Sequence, residues 1–438
     1  MNKIISLQDF MDRSVVNFWA VDTIAKELDK NGFTRLELRD AWKLEGSKGY
    51  YVIQNGSAIF AFVSPEQSLV PTPPRSYRII SAHSDSPGFR VKPNAEILSD
   101  GRMLKLNTEV YGGPILYTWF DRPLSLAGRV ILRSENPLRP VSRLVRFERP
   151  LLTIPHLAIH YNRSVNDGNP LSRQKDMLPV VGRLPENQEA KGWLKRLVAK
   201  ELGVDDNSVL DFDLSLYDTT RALTVGAFDD FITSGRLDDL SMAHAAMTAL
   251  ISSAVEGGND SGDVKVMAIF DNEETGSGTK QGAGSPILEY ILRRINLACK
   301  GTDEDYMRAI AASFMISADN AHGVHPNYVE KQDPTNHPVL GNGPVIKINA
   351  NCKYMTDAES AAVYAEICRR AGVPVQYFVN HSDVAGGSTL GNILTSQIPL
   401  RGVDMGAAMW AMHSARETAS LRDHEYITRS FRAFYAEP

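Results

Sequence analysis

Hydrophobic residues near the start of the chain recur at the spacing of an amphipathic helix. They are Phe10, Val15, Val16, Trp19, Ile24 and Leu28. Before them, Ser6-Leu7-Gln8-Asp9 resembles a capping box in which Asp replaces the usual Glu. Gly32 is suited to end the helix. The pattern therefore predicts a helical segment at the N-terminal end of the fold.

Short apolar runs of the kind that form strands follow this helix. Residues 50–53 and 58–63 flank a turn that carries the Asn-Gly signal of a hairpin. Prolines at 71, 73 and 74 indicate a loop. Residues 78–82 form the next predicted strand, and a histidine and an aspartate come directly after it.

The pattern of hydrophobic residues changes between about residues 93 and 233. One amphipathic helix, around residues 187–202, interrupts a series of short β-like runs. These runs lie at residues 104–106, 115–117, 128–132 and 223–226. We therefore predict that residues 93–233 form an inserted β-rich domain.

After residue 234 the pattern becomes an alternation of strands and helices, which is typical of a mixed α/β sheet. The predicted helices lie at residues 240–251 and 407–421. The predicted strands lie at residues 264–270, 311–317, 345–348 and 375–379. The fold class is therefore α/β, with residues 1–92 and 234–438 together forming the main domain.

Length, composition and charge narrow the class of protein. The chain has 438 residues, 43% of them hydrophobic and 23% charged, which suits a water-soluble protein of two domains. Its net charge of −5 argues against a nucleic-acid partner. No apolar run approaches the roughly 20 residues needed to cross a bilayer. An acidic residue at position 9 and the lack of a long apolar run do not fit a secretory signal, so we expect a cytoplasmic protein.

The three cysteines lack the spacing of a metal site or a redox motif. They are Cys299, Cys352 and Cys368. We expect all three to be small buried hydrophobic residues in a reducing compartment.

Ionisable residues follow three of the predicted strands. They are His83 and Asp85, then residues 271–274, then Asp319 with His322 and His325. Ligands of open α/β sheets bind outside the carboxyl ends of the strands, so we expect these groups to converge. Carboxylates brought together repel one another, and cations relieve that repulsion. Histidine with Asp or Glu is a ligand set that suits zinc.

Taken singly, each of these segments has a plainer interpretation. His83 fits a surface histidine beside Asp85, although His-x-Asp on an extended chain points both side chains to one side. Asp238 and Asp239 open a predicted helix, where acids are favoured as caps; one of them could cap while Asp238 bridges two metals. His413 lies in the predicted C-terminal helix and fits a core histidine.

Glu273 and Glu274 stand in the segment AIFDNEETGSG (268–278), where an apolar run ends in acids and then in glycines. On extended chain the two side chains point differently, so one could bind a metal while the other acts as a general base. The alternative is a charged loop. A phosphate-binding loop is disfavoured, because the segment matches neither GxGxxG nor the P-loop pattern.

Taken together, the segments resemble the aspartyl aminopeptidase family of dizinc metallo-aminopeptidases. The resemblance runs through nearly the whole chain. It is carried by SAHSDSPGFRVKP (81–93), TWFDRPLSLAGRV (118–130), PHLAIH (155–160), SGRLDDL (234–240), FDNEETGSGTKQGA (270–283), SADNAHGVHPNY (317–328), GPVIKIN (343–349) and MHSARE (412–417).

The resemblance implies a role for each matching residue. The implied zinc ligands are His83, Asp238, Glu274, Asp319 and His413. Asp238 would bridge two Zn²⁺ ions per subunit, Glu273 would be the general base and Asp85 would support His83. The implied substrate contacts are His160, His322, Lys347 and Tyr354. His160, preferred over His156 on the PHLAIH match, would reach the active site of a neighbouring subunit in a tetrahedral dodecamer.

The resemblance also implies the fold and the reaction. The expected fold is a zinc-peptidase-like α/β/α sandwich with an inserted domain that serves oligomerisation and substrate access. The expected reaction is removal of an N-terminal Asp or Glu from peptides with a free N-terminus, with Lys347 as the cation that selects the acidic residue. An aminopeptidase that prefers neutral residues is the nearest alternative. A non-catalytic assembly protein of the same fold is disfavoured, because the full set of ligands is present.

Overall fold

The structure, a computed structural model, describes residues 4–66, 72–255 and 262–437. It divides into a first unit (Met1–Asp85, Ala222–Met412 and Glu417–Pro438) and a second unit (Ser86–Arg221 and His413–Arg416). These limits differ by several residues from the predicted ones at 92/93 and 233/234. The predicted loop at residues 71–74 lies partly outside the described residues.

The helices and strands are numbered in chain order. The helices are α1 Leu7–Arg13, α2 Asn17–Lys30, α3 Trp193–Leu202, α4 Leu237–Val255, α5 Ile287–Ala298, α6 Asp303–Ala312, α7 Ala358–Arg370, α8 Leu390–Thr395 and α9 Leu421–Ala436. The strands are β1 Thr34–Arg35, β2 Gly49–Gln54, β3 Ala58–Val63, β4 Tyr77–His83, β5 Gly88–Ser99, β6 Met103–Tyr111, β7 Leu124–Leu132, β8 Val141–Arg146, β9 Val180–Arg183, β10 Val209–Asp218, β11 Leu223–Val225, β12 Phe231–Ser234, β13 Val264–Phe270, β14 Phe314–Ala318, β15 Ala321–His322, β16 Val345–Lys347, β17 Gln376–Phe378, β18 Arg401–Gly406, β19 Ala408–Trp410 and β20 Glu417–Ser420.

The first unit is built on a mixed sheet in the order β1-β2-β3-β13-β4-β14-β18-β16-β17. At its centre β13, β4, β14 and β18 run parallel. Successive residues of β3 enter opposite cores: Ile59 packs with α2, α4, α7 and α9, whereas Phe60 packs with α5, α6 and α8. Helices therefore cover both faces of the sheet, which confirms the α/β/α sandwich.

Local chemistry explains why the first elements form where they do. The Ser6 side chain accepts a hydrogen bond from the N–H of Asp9 and caps α1. Asn55 and Gly56 both adopt left-handed backbone angles and close the hairpin between β2 and β3. The predicted hairpin and the capping of the first helix are thus confirmed.

The first unit also contains a smaller sheet in the order β11-β12-β20-β19-β15. Residues 407–421 supply β19 and β20 of this sheet, so the predicted helix there is wrong; the last helix is α9. Alanine and methionine favour helices in isolation, but pairing of β19 with β15 and β20 overrides that tendency.

The predicted strand at residues 311–317 begins too early. Residues 311 and 312 end α6, and β14 starts at Phe314. The start of α6 is fixed by a reciprocal capping box between Thr302 and Asp305. That box was readable in the sequence and would have placed the helix correctly.

The second unit contains a six-stranded antiparallel sheet in the order β8-β7-β10-β5-β6-β9. Its core includes Phe89, Trp119, Leu126 and Leu214, with α3 contributing Leu194. The helix begins at Trp193, later than predicted, because Gly192 adopts a left-handed conformation just before it.

Two further findings concern the whole of the described chain. Cys299 and Cys368 are buried as expected, but Cys352 is exposed, since it lies in a surface turn. Among the described residues, none of the helices combines the length and the apolar character required to cross a membrane.

Candidate active site

The three predicted strand ends meet at one edge of the main sheet. β4 lies between β13 and β14, with Phe270 opposite His83 and Ser317 opposite Ser81. Because the three strands are parallel, the residues that follow them share that edge. The expected convergence of His83, residues 271–274 and Asp319 is therefore confirmed.

His83 is the centre of this cluster and is almost fully buried. Its Nδ1 lies 3.0 Å from the backbone carbonyl of Asp85. A carbonyl only accepts hydrogen bonds, so Nδ1 carries the proton and the lone pair of Nε2 is directed elsewhere. Nε2 lies 3.6 Å from Asp238 Oδ1, 3.9 Å from Asp319 Oδ1 and 4.0 Å from Glu273 Oε2.

Asp238 and Asp239 begin α4 with backbone angles that are not helical, and both are buried. The N–H of Asp238 donates to Glu417 Oε2 at 3.1 Å. Asp239 accepts hydrogen bonds from the N–H of His83 at 3.1 Å and from Asn320 Nδ2 at 3.2 Å. Asp239 therefore fixes the backbone at His83, while the Oδ1 of Asp238 faces the imidazole.

Glu273 and Glu274 lie on a 3₁₀ turn, Glu273–Thr275. Both carboxylate oxygens of Asp85 accept hydrogen bonds from the backbone of this turn. Oδ1 accepts from the N–H of Glu273 at 3.1 Å, and Oδ2 accepts from the N–H of Glu274 at 3.2 Å. Asp85 Oδ1 is also 3.3 Å from His83 Nδ1. One carboxylate thus positions the histidine and both glutamates.

The residues just before the two glutamates shape the turn. Asp271 is buried and accepts a hydrogen bond from Asn17 Nδ2 at 3.1 Å. Asn272 has a left-handed backbone, and its Oδ1 accepts from Thr279 Oγ1 and Gln281 Nε2, each at 2.8 Å. The glycine-rich segment after the glutamates therefore folds back onto Asn272.

The electrostatics of the cluster are those of crowded acids. Burial, followed by the charges of Asp319 and Asp238, raises the pKa of Glu273 to about 8 against the opposing effect of His83. Burial also raises the pKa of Glu274 and of Asp239 well above their usual range. Burial alone would lower the pKa of His83, but its acidic neighbours, Asp238 foremost, raise it well above the ordinary value. All four shifts show a site that favours a cation.

The donor atoms fit a metal ion. One ligand atom from each of His83, Asp238, Asp239 and Asp319 lies within 4.8 Å of the others, and the same holds for His83, Glu273 and Glu274. Donors sharing one zinc ion at about 2.0–2.2 Å are separated by roughly 3.4 Å, close to the separation of His83 Nε2 from Asp238 Oδ1.

Lys347 ends β16 and is buried beside the cluster. Its Nζ donates to Asp319 Oδ2 and to the carbonyl of Asn320, each at 3.1 Å. Burial alone would lower the pKa of this lysine, but Asp319 leads the charges that keep it above its ordinary value. Lys347 Nζ also lies 5.4 Å from the centre of the Tyr354 ring.

The backbone of Asp319 is fixed from the other side by Gly406 of β18. A Cβ at Gly406 would overlap the carbonyl oxygen of Asp319. The N–H of Asp319 in turn donates to the carbonyl of Met405 at 2.9 Å. Only glycine permits this close approach of the two chain segments.

Three further predicted site residues are histidines that lie on β15 and on two turns. His322 is exposed in β15, and the centre of its ring lies 6.0 Å from that of Phe378. Phe378 of β17 is the residue that pairs with Lys347 of β16 in the main sheet. His413 belongs to the second unit and lies on a turn with φ of 69°, so the predicted helical position is wrong. Its Nδ1 is 3.1 Å from the carbonyl of Gly113. His160 is exposed on the 3₁₀ turn Ile159–Tyr161 of the second unit.

Comparison with known proteins agrees with this geometry. Residues 10–435 match the model of the family described as Aminopeptidase I zinc metalloprotease (M18). The chain belongs to the M18 aminopeptidase family. A probable M18 family aminopeptidase 2 of Clostridium novyi (strain NT) is 48% identical to it over 429 residues, covering 98% of this chain and 97% of the relative.

Solved structures extend the comparison to the fold of this M18 aminopeptidase. A cryo-EM structure of the Ape4 and Nbr1 complex matches with a TM-score of 0.92 at 35% identity, covering 98% of this chain and 84% of that one. The structure of an S. cerevisiae mApe1 dodecamer matches with a TM-score of 0.84 at 28% identity, covering 98% of this chain and 95% of that one. An M18 aminopeptidase of Thermotoga maritima, at 24% identity, has the same fold with a TM-score of 0.84.

Several residues that position the M18 site have no role predicted from the sequence. They are Asp239, Asn320, Glu417, Asp271 and Asn272. Asp239 is adjacent to Asp238, and the sequence predicts a helix-capping role for one of the two, which does not indicate that Asp239 holds His83. Glu417 lies within the MHSARE match but has no predicted role, because its segment is predicted as a helix and instead forms β20.

Proposed function

We propose that this M18 aminopeptidase removes N-terminal Asp or Glu from peptides, using two zinc ions per subunit and Glu273 as the general base. The observation that carries the proposal is that Asp85 accepts hydrogen bonds from the backbone of both Glu273 and Glu274. Glu273 Oε2 also lies 4.0 Å from the imidazole of His83. The support from Asp85 fixes the backbone from which both glutamate side chains extend.

His83, Asp238 and Asp319 are the proposed ligands of one zinc ion, because their facing atoms have the separations that a shared ion requires. Glu274 and His413 are the further proposed ligands, on the family resemblance. Zinc, when bound, would supply a Lewis acid for the scissile carbonyl and would acidify water.

Glu273 is proposed to move the proton. Its Oε2 lies 4.0 Å from His83 Nε2, and its side chain keeps 13% exposure, so water reaches it. It would take a proton from the attacking water and give it to the leaving amine. The pKa of about 8 reflects burial among other acids, and neighbouring cations would lower it into the range of a base.

The acidic preference is assigned to Lys347. Its ammonium lies beside Tyr354 and is buried, so a carboxylate that reaches it would bind in a low-dielectric setting. The proposed substrate contacts also include His322 and, from a neighbouring subunit, His160.

One observation favours a second candidate, a preference for neutral N-terminal residues. Lys347 already donates to Asp319 at 3.1 Å, so its charge is partly balanced without any substrate. In this case Lys347 orients Asp319, and removing it lowers turnover on every substrate.

Paired assays with Asp- and Leu-aminoacyl substrates, with and without a chelator, separate the two candidates. If Lys347 selects acidic residues, Lys347→Ala lowers kcat/KM for the Asp substrate by about tenfold to hundredfold and leaves the Leu substrate nearly unchanged. Lys353→Ala, a nearby exposed lysine, serves as the matched control. An equal loss on both substrates supports the orienting role, and activity that survives complete metal removal contradicts the zinc mechanism.

We also propose that the protein works as a homo-oligomer. The structural neighbour from S. cerevisiae is described as a dodecamer, and it shares the fold over 98% of this chain. The tetrahedral arrangement and the cytoplasmic location remain predictions.

A further inference from the structure

Asp404 is a buried carboxylate that the proposed chemistry does not use. It lies in β18 and is fully buried. Its Oδ2 accepts from the N–H of Met355 at 2.6 Å, and its Oδ1 accepts from the hydroxyl of Thr389 at 2.8 Å. Burying a carboxylate is unfavourable unless hydrogen bonds and nearby positive charge compensate, so these contacts keep Asp404 in place.

The contacts of Asp404 join two loops to the sheet. Met355 directly follows Tyr354, and the N–H of Asp404 donates to Thr356 Oγ1 at 2.8 Å. Thr389 is the residue before α8. A Cβ at Gly391 would come within 2.7 Å of Asp404 Oδ1, so the first turn of α8 packs directly on the carboxylate.

The strand that holds Asp404 lies beside the strand that carries Lys347, a proposed substrate contact. β18 lies between β14, which leads to Asp319, and β16, which carries Lys347. Asp404 is opposite Ser317, two residues before Asp319. The negative charge of Asp404 acts on Lys347, whose ammonium faces the ring of Tyr354.

We propose that Asp404 is a positioning residue of the substrate pocket. Through its hydrogen bonds to Met355 and Thr389, it holds the segment that carries Tyr354 and the start of α8 against β18, the strand beside the one that carries Lys347. The inference rests on the proposed substrate contacts of Lys347 and Tyr354, and it adds a residue outside the set that the sequence motifs indicated.

Asp404→Asn tests the inference, because asparagine keeps the size of the side chain but loses its charge and one acceptor. We expect KM for Asp- and Leu-aminoacyl substrates to rise by about tenfold, the effect of one lost charged hydrogen bond, with kcat changed by less than about threefold and zinc content unchanged. A purely structural role would lower Tm without moving KM of the folded enzyme, and that result overturns the inference.

A matched control comes from a second buried aspartate. Asp423 likewise accepts two hydrogen bonds, both from backbone N–H groups, those of Gly341 and Gly343 at 2.7 Å each. It holds the turn before β16 rather than the end of β16 that carries Lys347. Asp423→Asn should change Tm and leave KM unchanged. If it raises KM as much as Asp404→Asn does, the effect is not specific to Asp404.

Three other variants keep the test decisive. Thr389→Val removes only the hydroxyl donor to Asp404, so it folds more readily and should raise KM by a smaller factor. Tyr354→Phe and Lys347→Ala report on the underlying proposal. If neither changes KM, the proposed substrate contacts fail; if they raise KM while Asp404→Asn and Thr389→Val do not, only the inference about Asp404 fails.

Discussion

At the scale of single residues, Asp85 contacts His83 and the backbone of both Glu273 and Glu274. The expected role was to support His83, and its carbonyl and one carboxylate oxygen do lie beside that imidazole. The same carboxylate also holds the backbone of Glu273 and Glu274. A proposed metal ligand and the proposed base therefore depend on one neighbour.

Glu273→Gln is the sharpest test of the proposed base. Glutamine keeps the shape but cannot take a proton, so we expect kcat to fall by roughly a hundredfold to ten-thousandfold. Zinc content, measured by elemental analysis, should stay unchanged, because Glu273 is not a proposed ligand. Near-normal turnover would show that another group moves the proton.

Glu289→Gln is the control for that variant. Glu289 lies on α5 and pairs with Arg293 at 2.8 Å on the surface. Its replacement by glutamine removes the same charge from the chain without touching the cluster. Turnover should therefore match the unaltered enzyme.

At the scale of elements, two histidines connect α4 to α9. His244 Nδ1 lies 3.0 Å from His424 Nε2, and His244 Nε2 lies 2.9 Å from the carbonyl of Ile5. The carbonyl requires a proton on His244 Nε2, so Nδ1 accepts from His424. Burial lowers the pKa of His244 to about 4 and that of His424 well below its ordinary value.

These shifts predict a loss of stability in acid. Histidines of the unfolded chain titrate near 6.5, so between about pH 6.5 and 4 the unfolded state binds more protons than the folded one. The free energy of unfolding therefore falls as pH falls through that window, and the contribution is complete above it. We expect the apparent Tm to drop by roughly 3–6 °C between about pH 7 and pH 5.

His424→Gln should flatten that dependence, since glutamine keeps a donor for His244 but does not titrate. His325→Gln, at an exposed histidine, is the matched control and should keep the full slope. Differential scanning fluorimetry across the pH range measures both. Equal slopes in the two variants would assign the acid sensitivity to other groups.

Elements with strong local signals were predictable from the sequence. The hairpin of β2 and β3, the strand β13 and the helix α4 all follow from apolar patterning and turn residues. The region after residue 400 was not predictable in this way. Its alanines and methionines favour a helix, and only the pairing of β18 with β14 and of β19 with β20 decides otherwise.

The residues of the candidate site also differ in whether a local sequence pattern indicates them. His83, Glu273 and Asp319 were predicted to converge because each follows a strand, and the ends of parallel strands share one edge of a sheet. Asp404 gave no such signal, because its importance comes from loops that are distant in the sequence and are brought to it by folding. Long-range hydrogen bonds of this kind leave no local pattern.

At the scale of the whole molecule, the proposed assembly makes each active site depend on a neighbour. His160 is exposed in the second unit, as a residue that serves another subunit would be. On this proposal, His160→Ala lowers activity while mass photometry still detects the full oligomer. His156→Ala, four residues earlier, is the matched control.

Mixing two inactive variants tests the shared site directly. In oligomers assembled from His160→Ala and Glu273→Gln chains, some sites pair an intact Glu273 with an intact His160 from a neighbour. Co-expressed mixtures should therefore recover a measurable fraction of the activity that each variant lacks alone. No recovery in mixed oligomers of confirmed composition would confine His160 to its own subunit.

The close approach at Gly406 also limits how the enzyme can be redesigned. Any side chain there would displace the backbone of Asp319, which the main sheet and Lys347 otherwise hold in register. A library that aims to change substrate preference should keep positions 391 and 406 as glycine. Diversity is better placed at residues 349–353, where the chain is mostly exposed.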